Sequence, residues 1–336
     1  MHIDDIDYDL PLELIAQTPI EPRDAARLLI DQGGLQALHR HVSDIGEYLN
    51  PEDLLVVNNT RVIPARLHLR RATGGGVEVL LLEPVAADHQ DWEALIRPGG
   101  KLRLGETLYG DDGMPLLEVG NRTVSGDTFL VTMLVDDVLT MLAIRGEMPL
   151  PPYIKATLAD PDRYQTVYAR HVGSAAAPTA GLHFTDRLLN ALSSAGIQTA
   201  TVDLTVGLDT FAPINTTNPV EHKIHTESYS VPTETLERCR QAKRVVAVGT
   251  TTSRALETAA STGANHGRSS LFITPGYDWK LVDLMVTNFH MPKTSLLLMI
   301  ESFIGKRWRE LYLQAIQHEY RFLSFGDAML LDRQLG

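Results

Sequence analysis

The spacing of apolar positions divides the chain into three textures. Up to about residue 65, helix and strand signals are mixed. The apolar run 54–57 ends in Asn58-Asn59-Thr60, which predicts a buried strand followed by a turn. From about 66 to 146 the runs are short and separated by turn residues. Stretches 67–71 and 77–83 flank Thr73-Gly74-Gly75-Gly76. Pro98-Gly99-Gly100, Asp111-Asp112-Gly113 and Ser125-Gly126-Asp127 follow at hairpin-like spacing. That pattern predicts a small antiparallel barrel. The glycine triplet reads as a hairpin turn rather than a phosphate loop, because no Gly-Lys-Ser/Thr follows and a strand comes next. From about 147 onward helical and strand periods alternate. Residues 186–195 place Leu188, Leu189, Leu192 and Ala195 on one helical face, and Gly196 stops the helix. Residues 197–206 alternate with Ala200, Val202, Leu204 and Val206 on one side. A helix over 234–243, a continuous apolar strand over 244–248 and a helix over 253–260 follow. Together these predict a mixed-sheet α/β domain from residues 1–65 and 147–336, with residues 66–146 inserted as an antiparallel β-barrel domain.

Composition adds limits. A chain of 336 residues suits about two domains, and 44% hydrophobic with 21% charged residues is ordinary for a globular protein. The formal net charge of −12 weighs against a nucleic-acid binder, whose footprint is normally basic. The densest basic groupings are Arg66/Arg70/Arg71, Arg97/Lys101/Arg103 and Lys306/Arg307/Arg309, each equally readable as a solvated face. The single cysteine, Cys239, excludes an intrachain disulfide and a three-cysteine iron–sulfur cluster, and falls in a helical stretch as a small buried hydrophobe. The first residues, MHIDDIDYDL, contain no signal-peptide apolar region, and no apolar run is long enough to cross a bilayer; a cytoplasmic protein without membrane contact is expected.

Ligands of α/β sheets gather at the loops after strand carboxyl ends. Five loops carry candidate chemistry. In the first, 177–185, Thr179 and Gly181 are candidate ligand contacts before a helix start that favours anions, and His183 is a base, a ligand anchor or a packed core histidine. In the second, 206–211, Gly207 permits close approach, and Thr210 and Phe211 are candidate contacts; a tight turn is the alternative. The third, 221–227, holds Glu221, His225 and Glu227. Its His-x-x-His lacks a third separated metal ligand, so acid–base work suits it better. In the fourth, 249–254, Thr250, Thr251 and Arg254 are suited to a carboxylate or phosphate, or serve only to cap a helix. In the fifth, 287–295, Asn288 and Phe289 are candidate contacts and His290 is a base, an anchor or a core histidine. These loops describe an α/β protein for a polar, partly anionic ligand and do not name a reaction.

Read together, they resemble the S-adenosylmethionine:tRNA ribosyltransferase-isomerases from end to end. The resemblance is carried by 58–66 (NNTRVIPAR), 148–154 (MPLPPYI), 164–168 (YQTVY), 176–184 (AAPTAGLHF), 248–251 (VGTT), 287–290 (TNFH), 320–322 (YRF) and 325–329 (FGDAM). The family pattern His-Val-Gly followed by Gly-Thr-Phe is altered here: Thr205 replaces the histidine and Asp209 the glycine. The resemblance implies an α/β domain with an inserted barrel. It implies transfer and isomerisation of the ribosyl moiety of S-adenosylmethionine onto preQ1 at the tRNA anticodon wobble position, giving epoxyqueuosine and releasing adenine and methionine. It also implies no metal, no permanently bound cofactor and a monomer, with S-adenosylmethionine as co-substrate.

Such a reaction needs a base for the acidified ribose carbon beside the sulfonium and an acid for departing adenine. His183, His225, His290, Glu221 and Glu227 supply those types on loops expected to converge. Phe184, Phe211 or Phe289 either stack on a base or pack the core. Arg61, Arg66, Arg97 and Lys101 are candidate RNA contacts around the barrel and site mouth. Two rivals are a methyltransferase, which lacks support because no N-terminal glycine-rich strand–loop–helix is present, and a non-catalytic RNA-binding module, against which the acidic balance argues.

Overall fold

The computed structural model describes residues 1–336 except 35, 87, 101, 124–125, 208–213, 215, 223, 225 and 336. These fall into two compact units. The larger comprises residues 1–60, 152–170 and 178–336; the smaller comprises 61–151 and 171–177. The chain thus returns to the smaller unit once, through the strand His171–Ser174, which pairs with Thr60–Val62.

The larger unit is built on a nine-stranded mixed sheet. Its strands in chain order are β1 (Arg27–Ile30), β2 (Leu38–His41), β3 (Asp53–Asn58), β4 (Gln198–Leu204), β5 (Glu227–Ser230), β6 (Arg244–Val248), β7 (His266–Ser269), β8 (Leu284–Asn288) and β9 (Ala328–Asp332). Their spatial order is β7-β5-β4-β3-β6-β8-β9-β1-β2. The four central strands, β4, β3, β6 and β8, are parallel. They are the most apolar: every residue of β3 and β8 is buried, as a sheet covered on both faces requires. β9 runs antiparallel to β8, so residues just before β9 lie at the same edge as the end of β8.

Among the described residues, five α-helices belong to this unit: α1 (Asp186–Ser194), α2 (Thr233–Gln241), α3 (Thr250–Thr262), α4 (Ser295–Ile304) and α5 (Trp308–Gln317). α1 starts where Thr185 caps the Leu188 amide at 3.0 Å, and it buries Leu188 and Leu192. These pack with Leu55, Val57, Val246, Val248, Leu284 and Val286 in one core on a single sheet face. Cys239 is buried in α2, and burial pushes its thiol up to about 12.

The smaller unit is a closed six-stranded barrel in which every strand pairing is antiparallel. Alternation along Asp91–Arg97 and Phe129–Met133 points Trp92, Ala94, Ile96, Phe129, Val131 and Met133 inward. A helix absent from the sequence reading, Val138–Arg145, follows the last strand, with Asp137 capping Thr140.

Candidate active site at the carboxyl edge of the sheet

β3 has β4 on one side and β6 on the other, so the chain departs in opposite directions from adjacent strands, which opens a crevice at their carboxyl ends. Asn58, the last residue of β3, is fully buried there. Its amide nitrogen donates to Leu204 O at 2.9 Å and lies 3.5 Å from Thr251 Oγ1, and its oxygen accepts from the Leu204 and Thr60 amides. One side chain therefore ties together β3, β4 and the start of α3. Sequence reasoning treated Asn58 as the start of a turn; the available signal was a polar residue closing an otherwise apolar run.

The loop after β6 turns sharply into α3. Gly249 has φ +93° and its amide donates to Val286 O at 2.7 Å, a conformation that disfavours any side chain. Of the hydroxyls that follow, Thr252 and Ser253 bond back to the carbonyls of Val248 and Gly249. Thr250 and Thr251 remain at the helix start, where unsatisfied N–H groups favour an anion.

Glu227 opens β5 and is buried. One carboxylate oxygen lies 2.6 Å from Arg254 Nη1 in α3, and the other accepts the Gly207 amide at 3.1 Å. Loops two, three and four thus meet at this carboxylate. The expected role of Arg254 as an anion clamp changes accordingly: its guanidinium holds Glu227 and the Ser269 carbonyl.

At the other end of the crevice, Thr179 Oγ1 donates to Asn288 Oδ1 at 2.9 Å. Asn288 Nδ2 faces His183 Nε2 at 3.0 Å and the Asp327 carbonyl at 3.4 Å. The hydroxyl on the oxygen side and the carbonyl on the nitrogen side assign the amide orientation. Nδ2 is therefore the donor to His183 Nε2, and the neutral imidazole carries its hydrogen on Nδ1. Burial first, then the nearby cations Arg321 and Arg23, pull the His183 pKa down to about 4.

The expected convergence of His183 with His290 does not occur. Asn288 shares a face of β8 with Leu284 and Val286, whereas Thr287 points to the opposite face. His290 Nε2 lies 3.0 Å from Thr287 Oγ1, on that opposite side. Its backbone is held by Tyr312, whose hydroxyl accepts the His290 amide, and by Tyr8, whose hydroxyl donates to its carbonyl. Burial lowers its pKa to about 3.

A model of the queuosine biosynthesis protein family matches residues 3–331. The chain belongs to that family. It is 48% identical to the S-adenosylmethionine:tRNA ribosyltransferase-isomerase of Rubrobacter xylanophilus over 98% of each chain. It is 46% identical to the protein of the same name from Symbiobacterium thermophilum, over 98% of this chain and all of that one. The crystal structure of the S-adenosylmethionine tRNA ribosyltransferase from Thermotoga maritima superposes with a TM-score of 0.55 at 37% identity, covering 97% of this chain and 99% of that one. The resemblance read from the sequence motifs, and the mixed-sheet domain with its barrel, hold.

The remaining candidates of this queuosine biosynthesis protein are placed as follows. Phe289 is fully buried against Tyr312, Tyr320 and Phe322, with ring centroids 4.8–5.6 Å away, and Phe184 is buried in the main core. Both rings therefore pack the core instead of opening to a ligand. Gly181 has a packing reason: a Cβ there would stand 2.0 Å from the Tyr168 hydroxyl. Glu221 is exposed in a short turn and accepts from Asn218. Arg61 and Arg97 are exposed in the smaller unit, while Arg66 leans on the Leu150 carbonyl and Glu78. His225, Thr210, Phe211 and Lys101 lie outside the described residues, as does Asp209; Thr205 is described, and its amide bonds the Ser228 carbonyl. Among the described residues, no three His, Cys, Asp or Glu are grouped to hold a metal ion, and no helix is long and apolar enough to cross a membrane.

Proposed function

We propose that this carboxyl-edge crevice transfers and isomerises the ribosyl moiety of S-adenosylmethionine onto preQ1 in the tRNA anticodon, with Glu227 as the base. The observation that carries the assignment of the base is the Glu227 carboxylate itself. Of the sequence candidates among the described residues, it is the carboxylate that is both buried and at the strand ends. The guanidinium of Arg254 at 2.6 Å positions the carboxylate, and its burial excludes water, whose hydration weakens a carboxylate base.

The sulfonium of S-adenosylmethionine acidifies the adjacent ribose carbon. Glu227 takes that proton, leaving an ylide, and the ring then opens toward loss of adenine. Methionine leaves when the preQ1 aminomethyl nitrogen has taken over the ribosyl carbon. The start of α3, with Thr250 and Thr251, supplies the seat for the methionine carboxylate. No permanent cofactor and a monomeric, cytoplasmic enzyme complete this reading.

The test is a product assay with purified protein, S-adenosylmethionine and preQ1-containing tRNA. Adenine, methionine and epoxyqueuosine should appear in equal amounts and only with the tRNA present. Glu227→Gln keeps the shape and one of the two accepted hydrogen bonds, from Gly207 or from Arg254, but not the basicity. It should lower kcat by at least about a hundredfold, within the usual contribution of a general base, with little change in S-adenosylmethionine affinity. Full activity in Glu227→Gln would remove it from the proton transfer. Release of S-adenosylhomocysteine instead of adenine would replace the reaction itself.

A further inference from the structure

Beside His183 a small cleft opens, about 20 Å³ in volume, and Arg23, Arg163, Leu182, Phe325 and Gly326 share its lining. It is separate from the Glu227 end of the crevice. β5, which carries Glu227, and β8, which carries Asn288, are four positions apart in the sheet, roughly 19 Å at ordinary strand spacing.

The cations at this cleft have been paired incompletely. Arg23 is half-buried and held by carbonyls alone: Gln165 at 2.6 Å, Asp162 at 3.1 Å and Leu182 at 3.5 Å. It forms no ion pair with a carboxylate among the described residues. Arg163, by contrast, pairs with Glu21 at 2.5 Å. Burial, then repulsion from Arg163, lower the pKa of Arg23 against the opposing pull of Glu21, Asp160 and Asp162. His183, also in the lining, turns its Nδ1–H away from Asn288, and that hydrogen has no acceptor among the described residues. A guanidinium and an N–H donor at one small cleft otherwise walled by Pro19, Ile20, Leu182 and Phe325 are complementary to an oxyanion. The volume admits about one water-sized atom, so it takes a single oxygen and no base or sugar.

We propose that Arg23 and His183 Nδ1–H, with Arg163 at the rim, seat one non-bridging phosphate oxygen of the RNA substrate. The proposal rests on the tRNA reading above and adds the contact that anchors the RNA backbone beside the site. A carboxylate offers the same chemistry, but the start of α3 already provides its seat nearer Glu227. The seat also gives an acidic protein a local cationic point for RNA, which its overall charge lacks.

The experiment uses a preQ1-containing anticodon stem-loop in which single phosphates are replaced by neutral methylphosphonates, with wild type, Arg23→Gln and Arg23→Lys. One position should weaken wild-type binding about tenfold or more, the usual worth of a hydrogen bond to a charged group. Arg23→Gln should lose sensitivity at that position alone, Arg23→Lys should keep part of it, and S-adenosylmethionine affinity should stay unchanged in both. The neutralised RNA tests the wild-type protein directly, so a variant that fails to fold does not decide the matter. No sensitive position in a wild type that still releases adenine overturns the seat and leaves the reaction standing. Loss of S-adenosylmethionine affinity in Arg23→Gln, with phosphate sensitivity intact, assigns the oxyanion to the carboxylate and overturns the proposal. A wild type that binds neither the RNA nor S-adenosylmethionine overturns both readings.

Discussion

Asn288 determines which nitrogen of His183 carries a hydrogen, because its amide is oriented from two sides, by the Thr179 hydroxyl and the Asp327 carbonyl. A side chain that accepts where Asn288 donates should reverse the tautomer. In Asn288→Asp, the carboxylate would draw the hydrogen to Nε2 and favour the charged ring. Nitrogen chemical shifts of labelled histidine should report Nδ1–H in the wild type and Nε2–H, with a raised pKa, in Asn288→Asp. The same tautomer in both proteins would show that another group sets it. His183 and His290 also carry a pH signature. Both are held below the ordinary value of 6.5, at about 4 and about 3, with burial the leading cause in each. On acidification the unfolded chain takes up these protons first. Stability from each is complete above about 6.5 and is lost as pH falls, down to about 4 for His183 and about 3 for His290. The slope is about 1.4 kcal/mol per pH unit for each ring. Urea unfolding between pH 6 and 4 should therefore show a shallower acid limb in His290→Asn by about that amount. An unchanged limb would mean that the folded protein tolerates the charged ring.

The turn Thr179–His183 brings Thr179 and His183 to Asn288, and its geometry depends on Gly181. A Cβ at 181 would stand 2.0 Å from the Tyr168 hydroxyl and 2.9 Å from Thr166 Cγ2, so Gly181→Ala must displace the turn. A cost of about 1–3 kcal/mol and a fall in activity are expected. Among the described residues the buried Tyr168 hydroxyl has no hydrogen-bond partner, so Tyr168→Phe alone should be neutral or stabilising. Combined with Gly181→Ala, it should restore part of the loss, since the ring carbon at 3.1 Å needs only a small adjustment. Thermal unfolding of the three variants tests this; additive losses would place the strain elsewhere. Elements of this kind separate what the sequence reveals from what it hides. The strand Arg244–Val248 was readable because burial on both faces makes its own residues a continuous apolar run, and the helix Asp186–Ser194 because burial of one face imposes a period on its own residues. The barrel was readable from turn residues at hairpin spacing. The short strand Glu227–Ser230 alternates in burial, but its buried positions are Glu227 and Tyr229, so no apolar period marks it in the sequence. Glu227 consequently looked like one acid in a charged loop. The division between His183 and His290 was hidden for a related reason: it depends on which face of β8 each neighbouring loop joins, and side-chain types in a loop do not encode that.

At the scale of the whole molecule, 30 basic against 42 acidic residues give a body that repels RNA except where cations are concentrated. Recognition of a polyanion by such a protein depends on few phosphate contacts and on the modified base, and it should show this in its salt dependence. Arg61 and Arg97 are exposed, and Arg23 and Arg163 line the cleft beside His183. If Arg61 and Arg97 each meet one phosphate of a single-stranded loop and Arg23 with Arg163 a third, the slope of log Kobs against log salt is about −2, from roughly 0.7 per contact. Binding of the preQ1 stem-loop measured across a salt series should give a slope near that value, and Arg23→Gln should reduce it by about one contact. RNA lacking preQ1 should bind more weakly with much the same slope, because the modified base contributes through uncharged contacts that salt does not screen. A slope twice as steep would require a longer basic track than these residues provide. A slope near zero would mean that the base alone holds the RNA, and that the arginines beside His183 serve only the fold.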